Sequence, residues 1–124
     1  MSLRKSIIYS FVLLCLTLSV VVYGQDDKAI KAEYTKVEQL IPMRDGVKLF
    51  TSIYLPKDKS RKYPIMLSRT PYSVAPYGSG DYKTTLGPSP LFEKEKYIFV
   101  YQDVRGKFMS EGEYLNRRLI SDPI

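Results

Sequence analysis

Histidine is absent from all 124 residues. A histidine-based triad or general base therefore cannot be assembled from these side chains alone. Cysteine is nearly as scarce. The single one, Cys15, lies inside the first apolar segment, so internal disulfides and thiolate metal sites are excluded. No Gly-x-Ser-x-Gly elbow occurs. Gly78-Ser79-Gly80 places glycines around a serine, but lies in mid-loop without a strand before it or a helix after it. There is no glycine-rich phosphate loop and no metal-ligand cluster, so neither a cofactor nor a metal is expected. The excess of positive charge is also smaller than it looks. The net charge is +6, but setting aside Arg4 and Lys5 leaves 17 basic side chains against 13 acidic, or +4. The densest basic cluster, Lys57, Lys59, Arg61 and Lys62, has Asp58 inside it. Interspersed signs describe a solvated surface rather than a nucleic-acid footprint.

What is present begins with a targeting signal. Arg4 and Lys5 precede an apolar run from Ile7 to Val22, and Gly24 stands before the polar Gln25-Asp26-Asp27. These three parts predict a signal peptide over residues 1–24 and a secreted or periplasmic protein, with no stable membrane association after cleavage. The alternative is an uncleaved anchor, since the uncharged stretch from Ser6 to Gln25 is just long enough to span a bilayer. Residues 25–33 read as a loose polar arm.

From Tyr34 the chain alternates, with Val37, Gln39, Ile41 and Met43 on one face. Asp45-Gly46 is a hairpin signal. Alternation resumes with Val47, Leu49, Thr51, Ile53 and Leu55 suited to a core and Lys48, Phe50, Ser52 and Tyr54 opposite. The pattern predicts an antiparallel pair. A short apolar strand at 63–68 follows. It opens into a loop rich in Gly, Pro, Ser and Tyr that runs to about Pro88, and then into one or two helical turns from Pro90. Tyr97 to Tyr101 is an unbroken apolar run closed by Gln102-Asp103, which reads as a strand buried on both faces. The order implies an α/β protein in which an antiparallel hairpin leads into a mixed, mostly parallel sheet. The strands carry more apolar surface than so few helices can cover, so residues 34–124 read as part of a larger domain.

Ligands collect at the carboxyl ends of parallel strands, which directs attention to two loops. In the first, the Tyr72 phenol is a neutral donor that either serves a developing oxyanion or packs in its loop. Tyr77 and Tyr82 lie in the same loop and are candidates to line a pocket. In the second, Asp103, Arg105, Gly106 and Ser110 fit turn chemistry. Asp103 and Arg105 can pair, or bind backbone groups and so fix the loop; Gly106 supplies a backbone turn, and Ser110 and Glu111 cap one. The functional alternative makes Asp103 a general acid or base.

Met43-Arg-Asp-Gly-Val-Lys-Leu49, Pro64-Ile-Met-Leu-Ser-Arg-Thr-Pro-Tyr72, Tyr101-Gln-Asp-Val-Arg-Gly106 and Ser110-Glu-Gly-Glu113 together resemble the start of the X-Pro dipeptidyl-peptidase and cocaine-esterase serine hydrolases. The likeness is closest to the α-amino-acid ester hydrolases and cephalosporin-acylase-type enzymes. It implies the first four strands of an α/β-hydrolase fold and a small ester, amide or short peptide as substrate. It also implies a homo-oligomer, and Tyr72 as the oxyanion-hole hydroxyl. Serine, acid and histidine come later in the family's chains. Ser73 stands where close relatives often carry aspartate, a departure within the Tyr72 loop. The rival reading is a non-catalytic, secreted, β-rich binding module.

Overall fold

The computed structural model describes residues 27–116, so the signal segment 1–24 and the tail 117–124 lie outside the described residues. Helix α1 spans Lys28–Glu33 and is followed directly by β1, Tyr34–Pro42. Strand β2 is Lys48–Pro56, β3 is Ile65–Thr70, α2 is Pro90–Lys94 and β4 is Ile98–Asp103. The four strands form one sheet in the order β1-β2-β4-β3. The hairpin at Asp45-Gly46 forms as its alternation predicts, closed by Met43 N–H to the Val47 carbonyl at 2.8 Å and Gly46 N–H to the Met43 carbonyl at 3.0 Å. β2 and β4 are antiparallel, whereas β3 and β4 are parallel, which makes the sheet mixed.

The register sorts the side chains into two faces. Lys36, Tyr54, Phe99 and Met66 lie abreast on one face, and Val37, Ile53, Val100 and Leu67 on the other. The first face is covered. Residues 71–89, without helix or strand, cross it together with α2. The core gathers Ile30, Tyr34, Tyr54, Leu86 and Phe99 beneath this cover, with Met66, Tyr82, Phe92, Tyr97 and Tyr101 packed against them. Burying each large side chain contributes roughly 1.5–3 kcal/mol, and edge-to-face pairs such as Tyr54 with Tyr82 and with Tyr101 add specificity to the packing.

Four sequence expectations are corrected here. The arm at 25–33 includes a helix, because Ile30 buries itself in the core and Lys31 pairs with Asp27 at 2.8 Å. The covered face near the start of β1 is that of Tyr34 and Lys36, not that of Val37 and Gln39. On β2 the fully buried Tyr54 lies opposite the face expected to be the core; of that face Leu49 and Thr51 are buried, while Leu55 is exposed. The long aromatic-rich loop selects the face it lies on, and both faces of β2 are apolar enough to accept it. Nor is β4 buried on both sides, since Ile98 and Val100 are only half-covered and the neighbouring Ile65 and Leu67 are exposed. No helix among the described residues is long and apolar enough to cross a membrane.

Candidate functional site

The carboxyl ends of β3 and β4 lie side by side, with Thr70 opposite Asp103. The chain leaves β3 through Pro71 into Tyr72, and the Tyr72 N–H turns back to the Thr70 hydroxyl at 3.0 Å. This local hydrogen bond fixes the backbone at the strand's end. The Tyr72 side chain stands 83% exposed. Its phenol is therefore presented from the edge of the sheet rather than packed in the loop.

Asp103 organises what surrounds it. It is fully buried. One carboxylate oxygen accepts the Val74 N–H at 3.0 Å, and the other accepts the Tyr77 hydroxyl at 3.0 Å and the Met109 N–H at 3.4 Å. Its carbonyl takes the Ser110 hydroxyl at 2.7 Å, and the Ser110 oxygen in turn accepts the Phe50 N–H at 2.8 Å. The Glu111 carboxylate accepts the Lys48 N–H at 3.0 Å, and the Glu111 N–H donates to the Lys48 carbonyl at 2.9 Å. Asp103 thus ties the Tyr72 loop to the loop after β4, and Ser110 and Glu111 fasten that second loop to β2. Both oxygens of the carboxylate are engaged by scaffold donors, so Asp103 acts as a structural hub.

Arg105 does not pair with Asp103. Its guanidinium reaches the Asp45 carboxylate at 2.8 Å across the hairpin turn and holds that carboxyl below its ordinary range. The reason is geometric: Asp103 points inward, whereas Arg105 lies beyond the strand's end on the solvent side. Gly106 sits at φ +67°, and a Cβ there would come within 2.2 Å of the Tyr114 nitrogen. That turn admits glycine alone.

Tyr77 and Tyr82 both lie in the loop over the sheet, and their hydroxyls tie it to β4 and β1. Tyr77 donates to Asp103 and contacts the Ser73 hydroxyl at 2.9 Å, with its ring edge-on to Phe50. Burial raises the Tyr77 pKa, as does Asp103, while the Ser73 contact opposes the shift. Tyr82 accepts the Lys36 N–H at 3.0 Å. Ser73 adopts φ +56° and accepts the Ala75 N–H at 3.1 Å, so it is one of the loop's own ties.

The sequence reading missed Lys36. Its side chain has no exposure, yet it carries an ammonium group. That group donates to the carbonyls of Pro76, Gly78 and Asp81 at 2.7, 2.9 and 2.7 Å and pairs with Glu38 at 2.7 Å. The Glu38 carboxylate receives the Gly78 N–H at 3.0 Å. One signal was available: a long loop rich in Pro and Gly leaves carbonyls that need donors.

A cleft of about 410 Å³ opens beside β3, lined by Met66, Leu67, Ser68, Gly87, Pro88, Phe99 and Tyr101. A shallower one of about 380 Å³ lies over Ala75, Pro76, Tyr82 and Lys83. Neither includes Tyr72. Among the described residues no group of three or more acidic, cysteine or histidine side chains is arranged to hold a metal ion.

Known proteins resemble this arrangement over most of its length. A cocaine esterase from Rhodococcus sp. (strain MB1 Bresler) is 37% identical over 76 residues, which cover 61% of this chain and 13% of that protein. Among solved structures, an aminopeptidase from a marine sediment archaeon, Thaumarchaeota archaeon, is 40% identical with a TM-score of 0.60, covering 73% of this chain and 16% of its own. An α-amino acid ester hydrolase is 41% identical with a TM-score of 0.54, covering 77% of this chain and 15% of its own. The chain therefore spans 13% to 16% of the length of these relatives. Residues 45–118 match the family described as X-Pro dipeptidyl-peptidase (S15 family), and the chain belongs to that family.

Proposed function

We propose that these residues are the amino-terminal segment of a secreted serine hydrolase with an α/β-hydrolase fold. The reaction is acyl transfer from a small ester, an amide or a short peptide, and the relatives named as an esterase, an ester hydrolase and an aminopeptidase support that substrate range. The nucleophilic serine, its acid and its histidine belong to sequence beyond Ile124. Tyr72 supplies one donor of the oxyanion hole.

The observation that carries this reading is the placement of Tyr72. It follows a parallel strand at its carboxyl end, where ligands gather in such sheets. Its backbone is anchored while its phenol remains exposed. A neutral phenol held on a fixed loop can donate to an oxygen as negative charge develops there, which is the preorganisation that lowers a barrier to acyl transfer. The uncovered aliphatic face around Ile65, Leu67 and Val100 supports the same reading, because a self-contained binding module leaves no such face in water. The 124 residues alone are expected to be inactive and poorly soluble.

The test is to purify the full-length protein and measure ester and aminoacyl-amide hydrolysis with and without a serine-directed phosphonate. Hydrolysis abolished in step with covalent labelling of one serine is expected. Hydrolysis that persists through complete labelling, or turnover by residues 1–124 alone, contradicts the proposal.

A further inference from the structure

A loop of 19 residues without helix or strand, 71–89, is long for a compact domain, and loops of that length need an external organiser or remain mobile. Asp103 holds its start through the Val74 N–H and the Tyr77 hydroxyl, and a buried cation organises its middle. Three carbonyls, spread over residues 76 to 81, turn inward onto the Lys36 ammonium, and the Glu38 carboxylate completes a cage of four oxygens within 2.9 Å. Lys36 and Glu38 share a face of β1, two residues apart, so the strand sets both halves of the clamp. Glu38 also receives the Gly78 N–H, so the loop is held by donors and acceptors from the same strand. Lys83 fastens the same loop again, donating to the Ala75 carbonyl at 2.6 Å. The anchored residues 74–83 adjoin Tyr72 on its carboxyl side.

We infer that Lys36 and Glu38 are positioning residues for the reaction, setting the Tyr72 phenol where it meets the oxyanion by caging the loop that carries it. This rests on the reading of Tyr72 as an oxyanion donor. A displacement of about 1 Å at a catalytic group can cost about a hundredfold in rate. Loosening the cage therefore acts on kcat through Tyr72, whereas a purely structural clamp changes stability alone.

The experiment uses the full-length hydrolase and combines Lys36→Ala with Tyr72→Phe. Lys36→Ala is expected to lower kcat by about 10- to 100-fold with little change in KM. n-Propylammonium, which replaces the deleted methylenes and the ammonium group, is expected to restore most of it. In the Tyr72→Phe background, Lys36→Ala is expected to remove little further activity, since the group it positions is already gone. An equal loss in both backgrounds, or an altered melting temperature with native kcat, overturns the positioning role and leaves the Tyr72 reading standing. Native kcat in Tyr72→Phe itself overturns both. Should Lys36→Ala fail to fold, Glu38→Gln keeps the shape of the clamp and removes its charge. The same dependence on Tyr72 is then expected, and its absence refutes the inference.

Discussion

Replacing Asp103 separates a scaffold from a catalyst, because the two roles predict opposite pairings of stability and rate. Asp103→Ala strands two backbone N–H groups, those of Val74 and Met109, together with the Tyr77 hydroxyl. A buried donor left without a partner costs about 1–3 kcal/mol. The Met109 contact is the longest at 3.4 Å and the Tyr77 phenol retains Ser73, so these two fall at the low end. The expected loss is about 3–5 kcal/mol, a large share of the about 5–15 kcal/mol that holds a typical domain together. Asp103→Asn keeps one oxygen acceptor and the volume but turns an amide NH2 towards the donors of the other, and should cost about 1–3 kcal/mol. Urea titration of the full-length protein reads the stability, and initial rates on a chromogenic ester across pH read the activity. A graded fall in midpoint, with alanine worse than asparagine and an unshifted pH profile for the asparagine variant, is the expected result. Native stability in both variants, with kcat collapsed and the acidic limb of the profile gone, would show that Asp103 transfers protons and refute the hub.

The other perturbations follow from single features. Gly106→Ala places a Cβ against the Tyr114 nitrogen at positive φ, and should cost about 2–4 kcal/mol by thermal or urea unfolding; an unchanged midpoint would mean that the turn is not as described. Leu67→Lys on the open face should improve the solubility of residues 1–124, and the same change in the full-length protein should lower its melting temperature because that face is then covered. Light scattering and thermal unfolding check the two halves, and improved stability in the full-length protein would argue that the face stays wet. Burial raises the phenol pKa of Tyr34 and of Tyr54 to about 12. Both hold their protons more tightly when folded than when unfolded, where tyrosine titrates near pH 10. Their stabilising contribution is complete below about pH 10 and is lost as pH climbs towards 12. Unfolding followed through the phenolate absorbance should move to lower temperature in that window.

The hairpin and the buried end of β4 were legible because local signals fix them. Asp45-Gly46 forces a reversal, and an apolar run closed by Gln102-Asp103 leaves little choice of element. Which face of the sheet is covered was not legible. Leu49, Ile53 and Leu55 on one side and Phe50 and Tyr54 on the other are comparably apolar, and the choice falls to a loop whose path depends on contacts 29 to 40 residues away. Lys36 was hidden for a related reason. A lysine in an alternating strand reads as solvated, and the partners that bury it are backbone carbonyls, which carry no residue identity. Of the two options open to Asp103 and Arg105, a mutual pair or bonds to backbone groups, Asp103 takes the second, while the hairpin brings Asp45 to Arg105 from 60 residues away. The position of Tyr72 at the end of β3 was readable from the strand and its proline, but its exposure was not.

The most direct measurement is the acylation rate of the full-length protein, the proposed hydrolase, with Tyr72→Phe on an activated ester, followed in a single turnover so that product release does not enter. Removing one donor from an oxyanion hole costs about 2.7–4 kcal/mol, or about a hundred- to a thousandfold in rate. The substitution deletes one exposed hydroxyl and nothing that supports the loop, so folding and KM should hold while acylation falls by that factor. An acylation rate equal to that of the unaltered enzyme would contradict the assignment and leave Tyr72 as a surface residue.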